Sequence, residues 1–137
     1  MKIVVVDGQG GKLGKQLVEK LAGITKNVDI LAVGTNSAAS AAMLKGGADA
    51  AATGENALIV ACRNADIIVG PVGIVIADAL LGEISPKMAA AIGSSNAKRI
   101  LLPINKCDNY IAGAGNATVS EMIEDAVKKI QEIIENH

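Results

Sequence analysis

Two kinds of hydrophobic pattern alternate along the chain. Ile3–Val6 is a short, unbroken β-branched run of the kind a fully buried strand shows. It is followed by Leu13, Leu17, Val18 and Leu21, which share one face at helical spacing. The same alternation then repeats. Asp29–Val33, Ala48–Thr53, Asp66–Val69 and Arg99–Leu102 read as further strands. Ser37–Leu44, with Ser37 as N-cap and Gly46-Gly47 as the stop, reads as a helix. So do Asn56–Arg63, with Asn56 as N-cap, the apolar stretch Ile74–Leu81, and the segment opened by Ser85-Pro86. Asp108–Ala117 is the one long irregular stretch. Beyond it, Ile123, Ala126, Val127, Ile130, Ile133 and Ile134 form a stripe within Ser120–Asn136, opposite a face of Glu, Lys and Gln. That is an amphipathic helix with one side to dock.

Strands alternating with helices predict right-handed βαβ units. The expected fold is α/β, a three-layer Rossmann-like parallel sheet of about five strands closed by the amphipathic C-terminal helix. We expect strand order 3-2-1-4-5 and one domain over residues 1–137, since domains usually run to about 100–200 residues.

Composition narrows the chemistry. Half the residues are hydrophobic, yet there is no Trp or Phe, and Tyr110 is the sole aromatic. Small and β-branched side chains suit a sheet with helices laid closely on both faces. The net charge of −1 and the lack of interleaved aromatics point away from nucleic acid. Cys62 and Cys107 make neither a disulfide framework nor a metal knuckle, which suits a reduced, cytoplasmic protein. His137 is the only histidine, so zinc chemistry and Ser-His or Cys-His catalysis are not expected, and no metal is. The first residues read as a strand rather than a signal peptide, because Asp7-Gly8-Gln9 ends the apolar run early. Ile67–Leu81 is broken by Pro71, Gly73 and Asp78 and is shorter than the roughly 20 residues of a membrane span.

The candidate chemistry lies between the first strand and the first helix, in Asp7-Gly8-Gln9-Gly10-Gly11-Lys12-Leu13-Gly14-Lys15. Glycines let backbone approach a ligand, and a helix N-terminus offers unpaired N–H groups to an anion. A Walker loop is excluded, because Gln9 stands where its first glycine belongs and Gln16 where its hydroxyl belongs. The strict dinucleotide spacing fails at Leu13, but the relaxed spacing Gly8, Gly11, Gly14 fits, like the loop of some NADP-dependent reductases. The end of the second strand carries Gly34-Thr35-Asn36-Ser37 in place of the acidic residue an NAD ribose wants. That neutral edge, with Lys12 or Lys45 nearby, suits a 2′-phosphate or a smaller ligand without adenosine.

Polar and glycine-rich segments recur at the carboxyl ends of the expected strands. They are Thr53-Gly54-Glu55-Asn56, Gly70-Pro71-Val72-Gly73 and Pro103-Ile104-Asn105-Lys106-Cys107. In a doubly wound sheet that is the ligand-binding rim. The candidate binding residues are therefore Gly8, Gln9, Gly10, Gly11, Lys12, Leu13, Gly14, Thr35, Asn36, Gly70, Pro71 and Gly73, with Asp7, Glu55 and Lys106 as candidate acid–base groups. Each also has a plainer reading as a turn former, a helix-end charge or a solvated lysine.

Read in order, these segments resemble a small bacterial family known only as a domain of unknown function. The resemblance rests on Asp7–Gly11, Gly34–Asn36, Thr53–Ala57, Gly70–Ile74, Gly82–Pro86 with Met88-Ala89, and Pro103–Asn105 with Cys107. It spans about residues 1–107, and the C-terminal part carries no matching motif. It implies identity and no chemistry. Three functions stay open: a binder of a nucleotide or small phosphorylated ligand, with NADP one possible cofactor; a small enzyme completed at a dimer interface; and a partner-binding protein whose loops are only turns. A homodimer is expected in each case, because aliphatic surface at this density tends to find a partner.

Overall fold

The computed structural model describes residues 1–24, 26–104 and 108–137. Five strands, β1 (Lys2–Asp7), β2 (Asp29–Gly34), β3 (Ala50–Thr53), β4 (Ile67–Pro71) and β5 (Lys98–Leu102), form one sheet of order β3-β2-β1-β4-β5. Every neighbouring pair is parallel. The helices between them are α1 (Lys12–Ile24), α2 (Ser37–Lys45), α3 (Glu55–Arg63) and α4 (Pro86–Ser94), with α5 (Val119–Glu135) last. The expected fold class and strand order are both observed.

The side-chain alternation of β1 divides the core. Ile3 and Val5 join Leu17, Val18 and Leu21 of α1, Met43 of α2, and Ile123 and Ile130 of α5. Val4 and Val6 join Leu58 of α3 and Met88 and Ile92 of α4. A strand buried on both faces cannot alternate apolar with polar, and Ile3–Val6 does not. The stripe of α5 closes the first face, and its start is fixed by a capping box between Thr118 and Glu121.

Three local expectations are corrected. The stretch Ile74–Leu81 is not a helix. A single 3-10 turn, Val72–Val75, follows β4, and the chain then closes a loop in which the Asp78 N–H bonds the Ile84 carbonyl at 2.7 Å and the Ile84 N–H bonds the Ala79 carbonyl at 3.1 Å. Asp78, Leu80, Leu81 and Gly82 all take positive φ, a conformation costly for leucine. Burial of Ile74, Ala79, Leu80 and Ile84 in the second core outweighs the helix propensity of the segment. The N-cap of α2 is Asn36, not Ser37: its Oδ1 accepts from the Ala39 N–H at 2.9 Å. The N-cap of α3 is Gly54, not Asn56, and makes no side-chain capping bond. Ser85 caps α4 as expected, with Pro86 at the first helical position. No helix among the described residues is long and apolar enough to cross a membrane.

Candidate functional site

The strand order reverses between β1 and β4, so the crevice of this sheet opens where β1 ends. There the chain turns sharply: the Gly11 N–H bonds the Gly8 carbonyl at 2.9 Å, and α1 begins one residue later. Asp7, the last residue of β1, is buried under this turn. Its Oδ1 accepts from the Gly8 N–H at 2.8 Å and its Oδ2 from the Gly14 N–H at 2.7 Å, so both oxygens are taken. Burial pushes the Asp7 carboxyl above its ordinary pKa; the N–H groups of Gly14 and Gly8 pull against that, and the charge of Glu83 adds to the rise.

Packing within the chain explains most of the glycine spacing. A Cβ on Gly8 would lie 2.7 Å from Thr35 Oγ1, and one on Gly11 would lie 2.7 Å from the Ala39 Cα. Gly11 also holds φ +73. A Cβ on Gly14 would run into Met43 Sδ. Gly10 is different: it is exposed, its φ is not left-handed, and nothing lies within 4 Å of where its Cβ would be. Beside it, the backbone N–H groups of Gly10, Lys12 and Leu13 have no partner among the described residues.

Glu83 meets this loop from across the crevice, carried by the loop Ile76–Ile84. One of its oxygens, Oε1, accepts three hydrogen bonds: from the Gln9 N–H at 2.8 Å, the Thr35 hydroxyl at 2.5 Å and the Asn36 Nδ2 at 2.8 Å. Asn36 Nδ2 also donates to the Gln9 carbonyl at 3.0 Å, and its Oδ1 caps α2, so its amide orientation is fixed from both sides. Burial opposes ionisation of Glu83, but the bonds from Thr35, Gln9 and Asn36 outweigh it and hold the carboxyl below its ordinary pKa. Three donors converging on a single oxygen make an anion subsite, and a carboxylate of the same chain fills it.

The other expected site residues are placed as follows. Gln9 and Lys12 are exposed on the loop, Leu13 is buried in the first core, and Thr35 and Asn36 are half-buried at the end of β2. Gly70 and Pro71 are the last two residues of β4 and are buried, as is Gly73 just after them. A Cβ on Gly70 would strike the Val6 carbonyl oxygen, which accounts for glycine there. Glu55, exposed at the start of α3, accepts from the Ser85 hydroxyl at 2.5 Å. Lys45 ends α2, a full helix length from the rim of β2, so it stands away from Thr35 and Asn36. Asn105, Lys106 and Cys107 lie outside the described residues. No cluster of metal-binding side chains occurs among the described residues. A groove of about 400 Å³ between α1 and α5, lined by Gln16, Glu19, Lys20, Val119, Ser120 and Ile123, includes no residue from a strand end.

The residue missing from the sequence reading is Glu83. Its neighbours in sequence give no local signal, because its partners stand at least 47 positions away. It lay within the Gly82–Pro86 segment that carried the family resemblance, and that was the available clue.

None of the curated proteins matches this chain. Among solved structures, the chain is similar to a dodecameric FMN-dependent UbiX-like decarboxylase from Escherichia coli O157:H7, at 16% identity over 98% of this chain and 94% of that one, with a TM-score of 0.47. A likeness of that size is too slight for any inference about ligand or assembly. The family comparison reaches further than the motifs did: it covers residues 2–135, taking in α5 as well as the rim. The chain thus belongs to the family described as Domain of unknown function (DUF3842).

Proposed function

We propose that the protein binds a small phosphorylated ligand or nucleotide at the rim where β1 and β2 end, with the anionic group seated against Gln9, Thr35 and Asn36. The observation that carries this reading is the convergence of a backbone N–H, a hydroxyl and a side-chain amide, from two successive strand ends, on one anionic oxygen. Two further observations support it. Gly10, next to Gln9 in the loop, has open space where its Cβ would be, so no contact of the chain requires glycine there. The N–H groups of Gly10, Lys12 and Leu13 stand unpaired at the start of α1, where the helix dipole favours negative charge. Lys12 is the exposed cation on the loop. With Lys45 at the far end of α2, one of the two lysines that suited a 2′-phosphate is withdrawn from the β2 edge, so NADP is one nucleotide among several rather than the favoured one.

The test is native mass spectrometry of the purified protein, followed by thermal unfolding with NADPH, NADH, AMP and ATP, each at about 1 mM. A ligand present at about 100 times its Kd stabilises the folded state by about 2.7 kcal/mol, which raises Tm by several degrees in a chain of this size. We expect at least one nucleotide to do so, and Thr35→Val to remove most of the shift. A mass free of adducts, together with an unchanged Tm for all four, overturns the reading.

A further inference from the structure

We infer that Glu83 is an internal occupant of the anion subsite, and that an incoming phosphate displaces it, so that the Glu83 side chain acts as a gate on the site. The inference rests on the reading above, since it needs the subsite to take an external anion.

Three observations lead to it. First, the donor set is larger than one loop-tying carboxylate oxygen requires. Thr35, Asn36 and the Gln9 N–H all serve Oε1, with distances of 2.5, 2.8 and 2.8 Å. Second, Glu83 sits in like-charge company. The Asp7 carboxylate lies beneath the same turn, and its ionisation is disfavoured by Glu83. A phosphate could not share the subsite with Glu83 for the same reason, so binding and displacement are coupled by charge as well as by space. Third, the segment that delivers Glu83 is held in a costly conformation. Leu80 and Leu81 precede Gly82 with φ of 56° and 58°, and the Leu81 side chain is 95% exposed at the tip. Leu80 and Ile84 are both buried in the second core and anchor the loop on either side of Glu83, whose own N–H bonds the Leu80 carbonyl at 3.1 Å. Release of Glu83 is therefore a swing of its half-buried side chain out of the subsite, with Leu80 and Ile84 kept in the core.

The consequence is a lowered apparent affinity in the wild-type chain, because only the fraction of molecules with Glu83 withdrawn is competent to bind. The experiment is calorimetric titration with inorganic phosphate, and separately with AMP, of the full chain as wild type, Glu83→Ala, Glu83→Gln and Thr35→Val. Glu83→Gln retains an oxygen for the three donors and removes the charge, so it stays informative if the alanine variant folds poorly. We expect Glu83→Ala to bind the probe at least about tenfold more tightly than wild type, Glu83→Gln to fall between them, and Thr35→Val to lose binding. Wild-type binding with no gain in either Glu83 variant overturns the gate and leaves the binding site standing. No binding of either probe by wild type or by either Glu83 variant overturns both.

Discussion

The two ends of the sheet use carboxylates in opposite ways. At the end where the strands begin, Asp66 accepts from the Lys2 N–H at 2.7 Å and Asp49 from the Ile30 N–H at 2.8 Å. Each is exposed, and each takes one donor from the start of a neighbouring strand. The nearby backbone continues in register, with Asp66 N–H to the Lys2 carbonyl and Asp49 N–H to the Ile30 carbonyl. These residues finish a ladder. At the end where the strands stop, Asp7 is buried with both oxygens occupied, and Glu83 draws three donors from two other segments onto one oxygen. The first arrangement satisfies backbone groups that any sheet leaves over. The second assembles donors around a point outside the core, at the cost of a strained loop. That difference is what the proposed binding site rests on.

The sharpest way to break that comparison is to test two glycines of the same loop. Gly14→Ala places a methyl group against Met43 Sδ and 2.9 Å from the Asp7 Cβ, inside a packed core. Overpacking of this kind costs about 1–3 kcal/mol, and thermal unfolding should show a Tm lower by several degrees. Gly10→Ala meets nothing within 4 Å and should leave Tm within about one degree of wild type. A larger side chain there, as in Gly10→Val, should still fold and should lose the nucleotide-induced shift. If Gly10→Val and wild type respond alike to ligand, the open space above the loop is not part of a site.

The framework was easy to read from the sequence because its signals are local and dense. Val4, Val5 and Val6 admit little besides a buried strand, and the stripe from Ile123 to Ile134 little besides a docked helix. The Gly8, Gly11, Gly14 spacing was also legible, though packing is what accounts for it in the folded chain, where Gly8 lies against Thr35, Glu83 and Leu80, Gly11 against Ala39 of α2, and Gly14 against Met43 of α2 and Asp7 of β1. The segment Ile74–Leu81 misled for a definite reason. Its alanines and leucines favour a helix, and nothing local reveals that the Ile84 carbonyl will capture the Asp78 N–H. Asn36 was legible as a polar rim residue. Its cap on α2 reaches only three residues along the chain, but its donation to Glu83 crosses 47. What a single sequence hides here is long-range pairing between loops.

Next in size is Asp7→Asn. The asparagine offers one acceptor where the buried turn presents two N–H groups, those of Gly8 and Gly14, so one of them faces an NH₂. A buried donor left unpaired costs about 1–3 kcal/mol, readable by chemical denaturation. The pH dependence carries its own signature. The Asp7 carboxyl is held above its unfolded pKa, so its contribution to stability is fully present below the unfolded value and is lost as pH rises through the folded one. The Glu83 carboxyl is held below its unfolded pKa, so its contribution is present above the unfolded value and is lost as pH falls through the folded one. Glu83→Gln should therefore flatten the acid side of the stability profile, whereas Asp7→Asn should remove a term that favours mild acid. An acid limb unchanged in Glu83→Gln would mean that the three donors do not select the charged form.

The smallest effects belong to the opposite rim, and they sharpen the comparison because they should be silent in function. Asp66→Ala and Asp49→Ala each remove one exposed acceptor from a strand-end N–H. The net worth of such a bond is about 0.5–1.5 kcal/mol, and replacement by water should recover part of it. A slightly lower denaturation midpoint is expected for each, with an unchanged slope and an unchanged response to phosphate or AMP. The two ends are joined through β1, which runs from Lys2, whose N–H bonds Asp66, to Asp7, whose carboxylate meets Gly8 and Gly14. If Asp66→Ala weakened anion binding as much as Thr35→Val does, strain would be passing along that strand. The donor set at the upper rim would then depend on the whole sheet rather than on the Glu83 loop that faces it.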